Sequence, residues 1–212
     1  MEHLSTEEEQ IEAIKKFWKE NGIAIVVGAV LGLGGLWGWR AYNDHVLSSQ
    51  EMASDKYNEV MENISGENKD LTAASTFINE NSDTSYAALT SLQLAKAAVD
   101  AKDFPEAKKQ LQWVIANSKE ESLVALSSIR LARVQNEEQN FDAALASLNA
   151  VTLDAFKAQV LAVKGDILVN KGELTEAQQS YTEALALEEN NNLLQMKIDD
   201  LNAKVSGTAQ NG

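Results

Sequence analysis

YAALTSLQLAKAAVDAKDFPEAKKQLQWVIAN, residues 86–117, carries two apolar-periodic runs around the turn Lys102-Asp103-Phe104-Pro105, and the arrangement recurs twice downstream. Residues 123–151 and 156–187 align with it. Ala95, Ala132 and Gly165 stand 37 and 33 residues apart, as do Phe104, Phe141 and Leu174, and again Ala107, Ala144 and Ala177. The small residue of the first run and that of the second are always twelve apart, as required where two helices of a hairpin approach closely and a bulkier side chain would part them. The turns, which continue as Gln139-Asn140-Phe141-Asp142 and Lys171-Gly172-Glu173-Leu174, supply the Gly, Asn and Asp that end one helix and cap the next. Pro105 falls in a first turn, where its missing N–H costs little.

Three such hairpins resemble tetratricopeptide repeats, each of which must stack on its neighbours to cover its apolar face. The match has two departures. The aromatic usual in the second helix is present as Tyr181 but replaced by Leu111 and Leu148, and the 37-residue interval predicts a longer loop around Asn117 to Ser122. Upstream, residues 44–62 and 70–80 read as an irregular hairpin broken by Ser65-Gly66-Glu67-Asn68-Lys69, its first helix continuing from the segment before it. Downstream, Leu194, Ile198, Leu201 and Val205 form a stripe suited to a capping helix, and Ser206 to Gly212 reads as a disordered tail. With Pro only at Pro105 and almost no alternating Val, Ile or Thr runs, the expected fold is all-α throughout.

The other decisive stretch is IAIVVGAVLGLGGLWGW, residues 23–39. It lies within nineteen residues free of ionisable side chains, between Glu20 and Arg40, and covers about 28 Å as a helix, close to a hydrocarbon core. Phe17 and Trp18 precede it and Trp37, Trp39 and Tyr42 close it, the interfacial placement of amphipathic rings. A cleaved signal peptide would have a shorter apolar region ending in small residues, so the reading is an uncleaved anchor. Lys15, Lys16 and Lys19 before the span against Arg40 and Lys56 after it predict a cytosolic N-terminus and an exported C-terminal bulk. Gly28, Gly32 and Gly35 share a helical face, which could pack on another membrane helix or simply reflect the frequency of Gly in such helices. Gly32-Leu33-Gly34-Gly35 lacks the strand, Lys and Ser or Thr of a nucleotide loop. Ahead of the span, Ser5 and Thr6 with Glu8 and Glu9 make a capping box, and Ile11, Ile14 and Trp18 recur at helical spacing. This predicts an amphipathic helix lying on the cytosolic surface before it turns into the bilayer. The expected organisation is therefore residues 1–22 cytosolic, 23–42 transmembrane and 43–212 an exported repeat domain.

Composition excludes much chemistry. The 212 residues hold 18 Lys plus Arg against 32 Asp plus Glu, a formal charge of −14, so the chain would repel a phosphate backbone and nucleic acid is not an expected partner. Without Cys there is no thiolate, disulfide or Cys-type zinc site, and His3 and His45 both lie too near the N-terminus to equip the rest with a triad or a His-rich metal site. Glu120-Glu121 and Glu137-Glu138 lack the interleaved ligands of a calcium loop, and no cofactor is implied. The acidic balance reads as a solvated surface.

The short acidic N-terminal helix, the Gly-rich anchor ending in Gly38-Trp39-Arg40 and the repeats together resemble the YfgM-type ancillary subunits of the bacterial SecYEG translocon. Ser85-Tyr86-Ala87-Ala88-Leu89, Arg130-Leu131-Ala132-Arg133-Val134-Gln135 and Gln195-Met196-Lys197-Ile198 carry the resemblance, which spans nearly the whole chain. It implies a single-pass inner-membrane protein with a periplasmic tetratricopeptide-repeat domain. The implied partners are SecYEG, a membrane-anchored periplasmic prolyl isomerase of the PpiD type and the secretory polypeptides handed to periplasmic chaperones; no catalytic residues are implied.

If the first helix of each hairpin lines the concave side, Leu89, Leu92, Lys96, Leu126, Ile129, Arg130 and Arg133 are the candidate partner-binding residues. A peptide segment would bury side chains on the Leu and Ile while a carboxylate meets Lys96 or Arg133. The competing reading makes these leucines inter-helix core and the arginines braces for a neighbouring acidic helix. Functionally, a non-enzymatic secretion accessory competes with a membrane-anchored scaffold for another envelope assembly and with a cytosolic regulatory contact by the N-terminal helix. An enzyme is disfavoured for want of a convergent titratable cluster.

Overall fold

A computed structural model describes residues 7–65 and 71–209, and every regular element among them is helical. The chain divides between Met52 and Ala53 into two compact units.

Helix α1 (Glu7–Ser65) supplies all of the described part of the first unit. It runs through residues 20–24 without the turn expected between surface helix and anchor. The physical reason is local: no Pro interrupts the sequence, a single Gly costs only about 1 kcal/mol, and the Asn21 amide donates back to the Phe17 carbonyl at 3.2 Å instead of breaking the ladder. The capping residues Ser5 and Thr6 lie outside the described residues. Along the span the apolar side chains are exposed among the described residues: Ile23 is 84% exposed, Leu31 71% and Trp37 76%. Among the described residues this is the one helix long and apolar enough to cross a membrane, with a mean hydropathy of 1.8 over its best window.

The second unit takes the end of α1, α2 (Leu71–Glu80), and then three hairpins: α3 (Ser85–Asp100) with α4 (Phe104–Asn117), α5 (Glu121–Glu137) with α6 (Phe141–Asn149), and α7 (Lys157–Lys171) with α8 (Leu174–Leu187). A 3-10 turn, Asp154–Phe156, leads into α7, and α9 (Asn192–Ala209) follows the last hairpin. The three repeats sit where the spacing placed them. The expected longer loop after Asn117 is absent: only residues 118–120 separate α4 from α5. The wider 37-residue interval is absorbed by α4, 14 residues against 9 in α6, and by an α5 that starts earlier relative to Ala132 than α7 does relative to Gly165. The tail is also shorter than expected, since α9 continues helical to Ala209. Residues 66–70, where the break of the first hairpin was expected, and 210–212 lie outside the described residues.

One backbone device ends the first helix of every hairpin. Lys102, Gln139 and Gly172, at the repeat spacings, adopt left-handed φ of 60°, 61° and 88°. Each following amide bonds back five residues, Asp103 to Ala98 and Asn140 to Gln135 at 2.8 Å and Glu173 to Leu168 at 2.9 Å, so the frayed carbonyls are satisfied identically three times. Asp103 then caps α4, its carboxylate accepting from the Glu106 N–H at 3.1 Å.

Stacking follows from who shares each core. Val60 and Ile64 of α1 pack with Phe77 of α2 and Leu94 of α3. Leu92, Leu111 and Val134 join α3, α4 and α5; Ile129, Leu148 and Ile167 join α5, α6 and α7. Leu168, Tyr181, Leu194 and Ile198 join α7, α8 and α9, making α9 the cap that its stripe predicts. Each cluster serves only adjacent elements, the packing rule of a solenoid.

Candidate partner-binding groove

The residue after each small contact residue of the first helices, Lys96, Arg133 and Asp166, repeats at 37 and 33, and the three line adjoining hollows on one side of the stack. Between α3, α4 and α5 this side opens into a hollow of about 480 Å³ with an apolar floor of Ala95, Val99, Phe104, Leu111 and Val134. Lys96, Lys102, Arg130 and Arg133 rim it, with Glu137 the one carboxylate among the lining residues. A second hollow of about 370 Å³ continues from Arg133, Asn136 and Glu137 to Asp166, Tyr181 and Lys197, and a third of about 390 Å³ meets it at Asn136, Glu137 and Asn170. The shared residues, Arg133, Asn136 and Glu137 on the C-terminal half of α5 and Asn170 on α7, make these one groove.

The two ends of the groove differ electrostatically. At the α7 end Asp166 accepts the Tyr181 O–H at 2.6 Å and pairs with Lys197, whose ammonium also stands 5.4 Å from the centre of the Tyr181 ring. Burial, reinforced by the Asp166 carboxylate, pushes the Tyr181 phenol far above its ordinary value. At the α3 end, Lys96, Lys102, Arg130 and Arg133 have neither ion pair nor side-chain hydrogen bond among the described residues. Burial and the neighbouring Arg133 charge hold the Arg130 guanidinium below its usual range.

Of the seven residues expected to line the groove, Lys96, Arg130 and Arg133 come together at the first hollow. Leu92 and Ile129 do not: at 5% and 0% exposure they are core. The correction has a simple cause. They stand three residues before Ala95 and Ala132, and i, i+3 neighbours share a helix face, here the face that packs on the second helix. Leu126 is half-buried against the α3–α5 core, and Leu89 is half-buried and lines none of the three hollows. The sequence reading missed Val99, Lys102 and Asn136. In the sequence Lys102 reads only as a turn residue, while Val99, Asn136 and Val169 extend the same register and set a lone amide between two valines.

In the first unit, a Cβ at Gly28, Gly32 or Gly35 would meet nothing within 4 Å, so their shared face of α1 is open. Among the described residues no group of three or more His, Asp or Glu is placed to hold a metal ion.

The profile of the family described as "Tetratricopeptide repeat-like domain" matches residues 15–203, from within α1 into α9. The ancillary SecYEG translocon subunit of Escherichia coli (strain K12) is 38% identical over 208 residues, 95% of this chain and 99% of that protein. The chain belongs to the family of ancillary SecYEG translocon subunits. Family members from Aggregatibacter actinomycetemcomitans, 35% identical over 95% of this chain and 100% of theirs, and Haemophilus influenzae (strain ATCC 51907 / DSM 11121 / KW20 / Rd), 34% identical over 87% and 91%, carry the same description. The resemblance drawn from Gly38-Trp39-Arg40 and the repeat segments is thereby borne out. Because these alignments cover the family members almost end to end, the apolar helix and the repeats belong to the family together.

Proposed function

We propose that this chain is a non-enzymatic accessory subunit of the SecYEG translocon that helps pass emerging polypeptides to the periplasmic chaperone network by protein contact. The observation that carries the reading is end-to-end relationship to ancillary translocon subunits, anchor included. The apolar length of α1 supports insertion in the inner membrane, and the Lys15, Lys16 and Lys19 bias supports a cytosolic N-terminus with the repeat unit in the periplasm. There the repeat unit would meet polypeptides leaving the channel and a partner such as a membrane-anchored prolyl isomerase of the PpiD type. The open face at Gly28, Gly32 and Gly35 offers the closest approach to another membrane helix.

Co-purification from mild detergent tests the assignment. The full chain should bring SecYEG with it, and Gly32→Leu with Gly35→Leu should reduce the yield. Recovery with cell-wall enzymes and no translocon component would assign the chain to another envelope scaffold. A periplasm-active reporter fused after Gly212 should be active; a stable but silent fusion reverses the topology.

A further inference from the structure

The groove is not uniformly apolar, as a surface for holding any unfolded polypeptide would be. Four cations ring one hollow in a chain whose net charge is −14, and among the described residues none of the four is neutralised. Arg130 is half-buried beside the like-charged Arg133. Such a pair is held at a cost in the free protein, and an anion placed between them relieves it. Charge complementarity therefore asks for carboxylates at the rim, while Val99, Phe104 and Val134 ask for an apolar side chain below them.

A second feature lies farther along. Asn136 is 9% exposed, lines two of the hollows, and its side-chain oxygen has no hydrogen-bond partner among the described residues. The equivalent positions, Val99 and Val169, are apolar, so the helix packing does not require an amide there. An unpaired buried amide costs stability. Turned about its last torsion, it presents a donor and an acceptor, the pair that a peptide main chain satisfies.

We infer that the groove is a selective docking site for an acidic segment of a partner protein, seating an apolar side chain in the α3–α5 hollow, carboxylates on Arg130, Arg133, Lys96 and Lys102, and main chain over Asn136. This rests on the accessory reading for the existence of a partner and adds what the partner must present.

The test uses the full chain in detergent micelles and a fluorescent peptide of alternating Glu and Leu, with Gln-for-Glu and Lys-for-Glu versions, read by anisotropy. The Glu peptide should bind best, and Arg130→Gln with Arg133→Gln should weaken it by about tenfold or more for each guanidinium removed. Two further variants guard against misfolding as an explanation. Val99→Trp, at a site 39% exposed, plugs the hollow without touching charge, and Asn136→Val restores the residue type of the flanking repeats. Both should weaken binding about tenfold while the urea midpoint is unchanged or raised. Equal affinity for Glu and Gln peptides, or wild-type affinity in the double arginine variant, overturns the inference in favour of a general client surface. Self-association of the wild type that the arginine variant abolishes assigns the groove to a second copy and overturns it equally. Loss of SecYEG from the co-purification sinks the accessory assignment instead, so the two failures are distinguishable.

Discussion

Gly165 shows how much one side chain can specify. A Cβ built there would stand 2.3 Å from the Tyr181 ring, whereas Ala95 and Ala132, its equivalents, face Leu111 and Leu148 at the position of Tyr181. Small residue and aromatic are thus one compensated pair. In an exposed helix Gly→Ala gains up to about 1 kcal/mol; here Gly165→Ala should cost about 1–3 kcal/mol by overpacking. Adding Tyr181→Leu should recover most of that loss, giving a double-mutant cycle far from additive in urea unfolding. Tyr181 makes a second prediction. Its phenol is raised in the folded state, so above its unfolded pKa, about 10, the unfolded chain releases a proton that the folded chain keeps, and stability falls as pH rises. Tyr181→Phe should therefore cost about 0.5–3 kcal/mol at pH 7 through the lost bond to Asp166, and that deficit should shrink beyond about pH 10. A deficit constant across that range contradicts the burial argument.

At the scale of the element, the three hairpin turns share a left-handed residue, yet only Gly172 is suited to it. Lys102→Gly and Gln139→Gly should each stabilise by about 0.5–1 kcal/mol, and Gly172→Ala should destabilise by a similar amount, as thermal unfolding midpoints will show. The helices were legible in the sequence because small residues and turn chemistry repeat at fixed spacings, and α9 because its stripe is regular. The lengths of α4 and α6 were not, since an interval counts residues without saying whether helix or loop absorbs them. The groove was half legible for a related reason. Arg130 and Arg133 announce themselves by charge, but the side of a helix on which Leu92 or Ile129 falls depends on phase relative to Ala95 and Ala132. A run that is apolar on two faces hides that phase.

Among the described residues of 53–212, the stack has no central core: one apolar cluster passes to the next through shared helices. Stability should then be nearest-neighbour in character. Leu111→Ala and Leu201→Ala, both at fully buried sites, should each cost about 2–5 kcal/mol. Because the two residues belong to different clusters with another between them, their double variant should be additive within about 0.5 kcal/mol while unfolding stays two-state. Leu111→Ala with Val134→Ala, inside one cluster, should not be. Hydrogen exchange separates this picture from a single cooperative core. Leu201→Ala should loosen α8 and α9 first and leave amides of α3 and α4 near wild-type protection. Uniform loss across all the helices would mean that the repeats are coupled by something other than the contacts between neighbours.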